Sequence, residues 1–183
     1  MVKLSKEEGL RRLNLVSSLV DYRKESGDFV WKERCGDKWF NNKFIGKKSG
    51  RENVLGYIEI RHREKSGIVC SVYAHRLVWF VEKGYAPEFE IDHINGIRND
   101  NRIENLRDVT GEINCRNQRL SIRNNSGAAG VSFFKRDGKW RSRINIDGSE
   151  KHLGYFDSFD DAVNAAAQAR LSNGLTKRHV YGK

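Results

Sequence analysis

A chain of 183 residues with 34 Lys and Arg against 24 Asp and Glu carries a formal net charge of +10, the electrostatic signature of a polyanion binder. No apolar run approaches the roughly 20 residues that span a bilayer, and the opening MVKLSKEEGLRRL is interrupted by charge rather than built as a signal peptide. Nucleic acid is therefore a better fit than a membrane as the polyanion, and no obligate protein partner is expected.

In chain order, residues 5–22 form an amphipathic helix through Leu10, Leu13, Val16, Leu19 and Val20, and Tyr22, Gly27, Phe29 and Trp31 read as a hairpin near its end. Lys43, Lys47, Lys48 and Arg51 form a basic stretch that either meets phosphates or is a solvated loop. Residues 56–60 alternate as a strand, residues 64–67 turn it back, and residues 68–74 return. Leu77, Val78, Trp79 and Phe80 follow as packing partners for whatever comes next.

What comes next is the segment IDHINGIRNDNRIENLRDVTGEINCRNQ. Phe89 and Ile91 end a strand, an Asn-, Gly- and Asp-rich loop follows, the chain re-emerges at residues 106–109, and Thr110 offers a helix N-cap. Asp92 and His93 stand at the end of the first strand. Asn105 lies twelve positions after the histidine and Asn114 nine further on. A calcium-loop reading fails, because Ile94 and Ile97 occupy positions that need an oxygen ligand and Gly.

This segment resembles the ββα-metal finger of HNH endonucleases, in particular the phage homing branch, through DH, NG, DN, NLR, T and N in that order, preceded by the HRLVW run at residues 75–79. The resemblance covers about residues 57–118. It implies that His93 is the general base that deprotonates water, a task suited to an imidazole with an ordinary pKa of about 6.5. It implies that Asp92 and Asn114 are hard oxygen ligands to magnesium, with manganese possible. Asn105 is expected to accept from the imidazole and fix its orientation. Cys35, Cys70 and Cys115 are isolated and form no CxxC pair, so no zinc brace is indicated and a reducing cytoplasm, that of a bacterial host, is the expected compartment.

Residues 116–143 hold eight basic residues (Arg116, Arg119, Arg123, Lys135, Arg136, Lys139, Arg141, Arg143) against Asp137. Residues 124–130 read as a linker. Beyond them, Asp137-Gly138 and Asp147-Gly148 are hairpin turns joining three strands, and Ser158 with Asp161 opens a helix over residues 159–172. Alternation in the middle strand puts Trp140, Ser142, Ile144 and Ile146 toward that helix and Arg141, Arg143 and Asn145 away from it. The unit resembles the ethylene-response-factor (Apetala-type) DNA-binding domain in Gly130-Val131, Gly138-Lys139-Trp140, Ile144 and the LGYFDS run at residues 153–158. It departs from that family at Ser132, Phe134 and His152. The resemblance implies DNA contacts from Arg141, Arg143 and Asn145, with Arg136, Lys139 and His152 weaker. Arg116 and Arg119 extend the basic track from the finger helix.

The expected fold is α+β: a scaffold over residues 1–56, a nuclease finger over 57–123, the linker, and a three-stranded antiparallel sheet packed on one helix over 131–183. The expected function is a metal-dependent, site-directed DNA endonuclease that nicks as a monomer. A non-catalytic DNA-binding regulator or architectural protein is the alternative, and an RNase or non-specific nuclease is a further one.

Overall fold

The computed structural model describes residues 4–116 and 124–175, with only the backbone of residues 115 and 116. Arg119 and Arg123 lie outside the described residues. The fold is mixed α+β, built from small sheets and helices. The chain divides into two compact units, Met1–Asp108 and Val109–Lys183.

The first unit starts with α1 (Lys6–Leu19), whose N-cap Ser5 accepts a hydrogen bond from the Glu8 amide at 3.1 Å, meeting one of the orphan donors of a helix start. The helix stops at Val20, where the extended conformation that suits a β-branched residue takes over. A hairpin follows, β1 (Val20–Arg23) with β2 (Asp28–Trp31), Tyr22 opposite Phe29. A short helix α2 (Lys38–Phe44) is capped by Asp37. Three antiparallel strands then form a sheet in sequence order: β3 (Arg51–Glu52), β4 (Ile58–Arg63) and β5 (Val69–Tyr73).

The run at residues 74–83 is helical, α3 (Ala74–Lys83), which buries Ala74, His75, Leu77 and Val78. Finally β6 (Glu90–His93) pairs with β7 (Leu106–Val109), joined by a loop ending in a 3-10 turn at Ile103–Asn105. Leu13 and Val16 of α1, Phe29, Ile60, Leu77, Val78, Ile91 and Leu106 close over one core, which ties the paired strands β6 and β7 to the scaffold. Burying each such side chain is worth about 1.5–3 kcal/mol.

Gly27, in the turn between β1 and β2, has φ 74°. A Cβ there would lie 2.4 Å from the Arg102 amide nitrogen and 2.5 Å from the Asn101 carbonyl carbon. The hairpin turn therefore presses on the loop between β6 and β7 with only a hydrogen atom between the two backbones.

In the second unit, α4 (Gly111–Arg116) opens with the Asn114 amide bonded to the Thr110 carbonyl at 3.0 Å. Residues 124–130, expected as a linker, are tied by their own side chains. Asn124 accepts from the Gly127 amide at 2.8 Å and donates to the Ala128 carbonyl at 3.0 Å, and Ala128 is buried. An antiparallel sheet follows, β8 (Val131–Phe134), β9 (Lys139–Ile146) and β10 (Ser149–Phe156), with β9 central. Behind it runs α5 (Phe159–Ser172), capped by Ser158. Ala162, Val163, Ala166 and Ala167 of the helix close the core against Val131, Trp140 and Phe156, small residues letting helix and sheet approach closely. Among the described residues, no helix is long and apolar enough to cross a membrane.

Candidate active site

Asp92 and His93 are the last residues of β6, and both are buried. Their neighbours on β7 and in the loop set the local geometry. Arg107, on the paired strand, places Nη2 at 2.9 Å and Nε at 3.1 Å from Asp92 Oδ2. A carboxylate held out of water needs such a counter-charge, because an uncompensated buried charge is strongly destabilising. Arg107 belongs to the NLR run, but no role for it was legible in the sequence.

The imidazole of His93 meets Asn101, whose Oδ1 lies 3.1 Å from Nε2. This corrects the expected role of Asn105. The Asn105 Oδ1 accepts from the Asn95 amide at 2.9 Å and its Nδ2 donates to the Asp100 carbonyl at 2.8 Å, so Asn105 braces the loop backbone rather than the ring. Asn101 is 1% exposed, and its Nδ2 faces the Asn99 carbonyl at 3.4 Å. That amide orientation turns the oxygen toward the ring, and in the tautomer protonated at Nε2 the imidazole donates to it and keeps its lone pair on Nδ1.

Aromatic rings wall the imidazole. His75, on α3, stands edge-on to His93 at a centroid distance of 5.3 Å, and Tyr57 lies 6.0 Å away. Tyr73 stacks on His75 at 5.4 Å, and Tyr57 is 5.2 Å from it. The His75 Nδ1 is buried without a hydrogen-bond partner. Burial first, and the neighbouring His93 and Arg76 after it, push the His75 pKa down to about 3. The ring is therefore neutral in the folded protein, whereas the unfolded chain protonates it near the ordinary 6.5.

Linkage gives the sign: the unfolded state binds more protons between these two values, so this group contributes stability above pH 6.5 that is lost as pH falls toward 3. From pH 7 to pH 5 the loss is about 2 kcal/mol. Urea unfolding of wild type and His75→Phe at both pH values checks this, since the variant should lack that increment.

The expected metal ligands sit on different units: Asp92 ends β6 and Asn114 lies on α4. Among the described residues, no three of His, Cys, Asp and Glu gather within metal-binding reach. The expected donor set is one carboxylate and one amide oxygen. Of that set, Asp92 is a hard oxygen donor whose Oδ2 is taken by Arg107.

On the second unit, the middle strand places its side chains as the alternation requires. Ser142 and Ile144 are buried toward α5 and Trp140 packs 4.7 Å from Phe159, while Arg141, Arg143 and Asn145 lie on the opposite face. On that face Arg143 pairs with Glu150 at 2.7 Å, Lys139 with Asp157 at 3.1 Å and Arg136 with Asp137 at 2.8 Å. Arg141 stands 5.9 Å from the Phe134 ring. Phe134, Tyr155 and His152 continue the face as an aromatic row, with centroids 5.5 and 4.7 Å apart. Arg116 is placed on α4, and Arg119 lies outside the described residues.

Residues 72–116, which carry Asp92, His93, Asn101, Asn105 and Asn114, match the family model described as HNH endonuclease. The chain is also similar to Protein 3.8 of Escherichia phage T7, at 31% identity over 80 residues. That similarity spans 43% of this chain and 66% of the phage protein's length. Among solved structures it resembles the one titled DNA binding and cleavage by the HNH homing endonuclease I-HmuI, at 23% identity and a TM-score of 0.42, covering 90% of this chain and 87% of that one.

Proposed function

We propose that the protein is a metal-dependent DNA endonuclease of the HNH homing type, in which residues 57–123 cut and residues 131–183 bind the duplex. The observation that carries this reading is the buried His93 imidazole, in contact through Nε2 with Asn101 and next in sequence to Asp92, whose carboxylate Arg107 compensates. The match of residues 72–116 to the HNH endonuclease family supports it.

His93 Nδ1 takes a proton from the attacking water, while Asn101 holds the Nε2–H and the rings of His75 and Tyr57 restrict rotation of the imidazole. Asn105 fixes the loop that delivers Asn101, through the backbone of Asn95 and Asp100. Asp92 is the residue that would hold the divalent cation, magnesium or manganese. When bound, that ion offsets the charge that builds on the leaving oxygen. One such site cuts one strand, so a monomer nicks.

The arginine face of β9 is assigned to DNA binding. Its ion pairs with Glu150 and Asp157, and the neighbouring Arg136–Asp137 pair, are exposed and weak in water, so phosphates displace the acids readily. Arg143→Ala should weaken plasmid binding and lower the slope of log affinity against log salt by about one, with metal affinity unchanged. Glu150→Gln should strengthen binding, because it removes the competing carboxylate from Arg143. Filter binding across a salt series reads both.

The reading as a whole is tested by incubating the protein with supercoiled plasmid and magnesium or manganese, against EDTA. Conversion to open circle only with the metal supports it. DNA binding without cleavage under any metal would leave a non-catalytic DNA-binding protein.

A further inference from the structure

The turn that joins β3 to β4 presents two apolar side chains to water. Val54 is 103% and Leu55 57% exposed. The central positions of such turns favour Pro, Asp, Asn, Ser and Gly, each for a conformational or hydrogen-bonding reason that Val and Leu do not share. A local choice that runs against turn chemistry and gains no burial is the kind of inconsistency that marks a functional position.

The tip is also held firmly. The Asn53 side chain accepts from the amides of Leu55 at 2.9 Å and Tyr57 at 3.1 Å, and the Asn53 backbone closes the turn with the Gly56 amide at 2.9 Å and the Tyr57 carbonyl at 2.8 Å. Arg98, from the loop between β6 and β7, donates to the Leu55 carbonyl at 2.8 Å and stacks over Tyr57 at 5.0 Å. Asn99 of the same loop reaches Glu52 at 3.3 Å. The tip is thereby fastened to the loop that positions His93, and Tyr57 at its base is one of the rings beside that histidine. Exposed Ile97 adjoins Arg98 in sequence.

We propose that Val54 and Leu55 form a wedge that enters the minor groove and pries open a base step beside the phosphate to be cut. This rests on the endonuclease reading. Apolar side chains inserted from the minor groove unstack a step and kink the duplex, and a rigid two-residue tip suits that task. Arg51 at the foot of the hairpin and Arg98 at its side supply the charge that a phosphate backbone requires. A second copy of the chain is a poorer occupant, because two exposed side chains offer far less than the roughly 800 Å² per partner of a stable interface.

Insertion unwinds DNA, so the test is topological. Relaxed closed-circular plasmid is treated with topoisomerase I in the presence of His93→Ala protein, which leaves the circle intact, and the topoisomers are resolved after the protein is removed. The expected result is a shift in linking number with His93→Ala and none with His93→Ala carrying Val54→Ser and Leu55→Ser, at equal plasmid occupancy. In the cleaving background, Val54→Ser/Leu55→Ser should lose about tenfold or more of nicking rate on relaxed plasmid, a deficit of about 1.4 kcal/mol or more. It should lose much less on supercoiled plasmid, whose torsion supplies the unwinding.

Equal shifts from both proteins, or equal losses on both plasmid forms, would overturn the wedge while leaving the nuclease intact. A topoisomer shift that depends on the tip, in a protein that nicks nothing, would keep the wedge and remove the nuclease. Dimers in light scattering that vanish in the serine variant would assign the tip to self-association and overturn the proposal.

Discussion

His93→Ala should reduce metal-dependent nicking of supercoiled plasmid by about a thousandfold, the range associated with losing a positioned general base, while plasmid binding stays within about twofold. The separation follows from where the side chain lies. His93 is buried at the end of β6 among Tyr57, His75 and Asn101, so its loss removes no exposed cation from a phosphate-binding face. It also leaves the Asp92–Arg107 pair in place, so the carboxylate assigned to the metal keeps its orientation. The check is nicking rate against protein concentration for both proteins, with filter binding in EDTA run in parallel. Retained cleavage in metal-saturated His93→Ala protein would remove the histidine from the chemistry. A matched loss of binding and cleavage would make it a structural residue.

The parts of the fold that the sequence made legible are those fixed by local chemistry. Ser158 caps α5 as the residue type demands, the two Asp-Gly turns join the strands of the second sheet, and β9 alternates in the register that its Trp, Ser and Ile pattern dictates. Asp92 and His93 were legible as a pair because they are neighbours at the end of one strand. The helix α3 was not read, since its Leu-Val-Trp-Phe-Val run carries the β-branched and aromatic residues that also suit a strand, and only burial against α1 and the sheet settles the matter. Nor could the sequence say which asparagine of an Asn-rich loop faces the imidazole. Asn101 and Asn105 are the same chemistry four positions apart, and their side chains are sorted by the loop's path, which depends on the distant Gly27 turn packed against residues 101 and 102.

Asn101→Ala should lower the nicking rate about 10- to 100-fold, the usual cost of removing a group that orients a catalytic side chain, with little change in DNA affinity. With Asn101 in place the ring is anchored at Nε2, and Nδ1 carries the lone pair. Without it both tautomers are allowed, and the fraction with a basic Nδ1 in the correct direction falls. Asn101→Asp restores an acceptor at the same position and should recover the rate to within about tenfold of wild type. Nitrogen-15 spectra of the His93 ring discriminate orientation from mere packing: one Nε2–H tautomer in wild type and Asn101→Asp, a mixture in Asn101→Ala. Gly27→Ala should reproduce part of the Asn101→Ala defect from a different strand pair, because a Cβ at φ 74° would displace the Asn101–Arg102 backbone. It should also destabilise the first unit by about 1–3 kcal/mol for the left-handed backbone alone. A Gly27→Ala protein of unchanged stability and unchanged His93 spectrum would show that the hairpin does not hold the loop, and Asn101 would then have to be positioned by Asn105 and Asp100 alone.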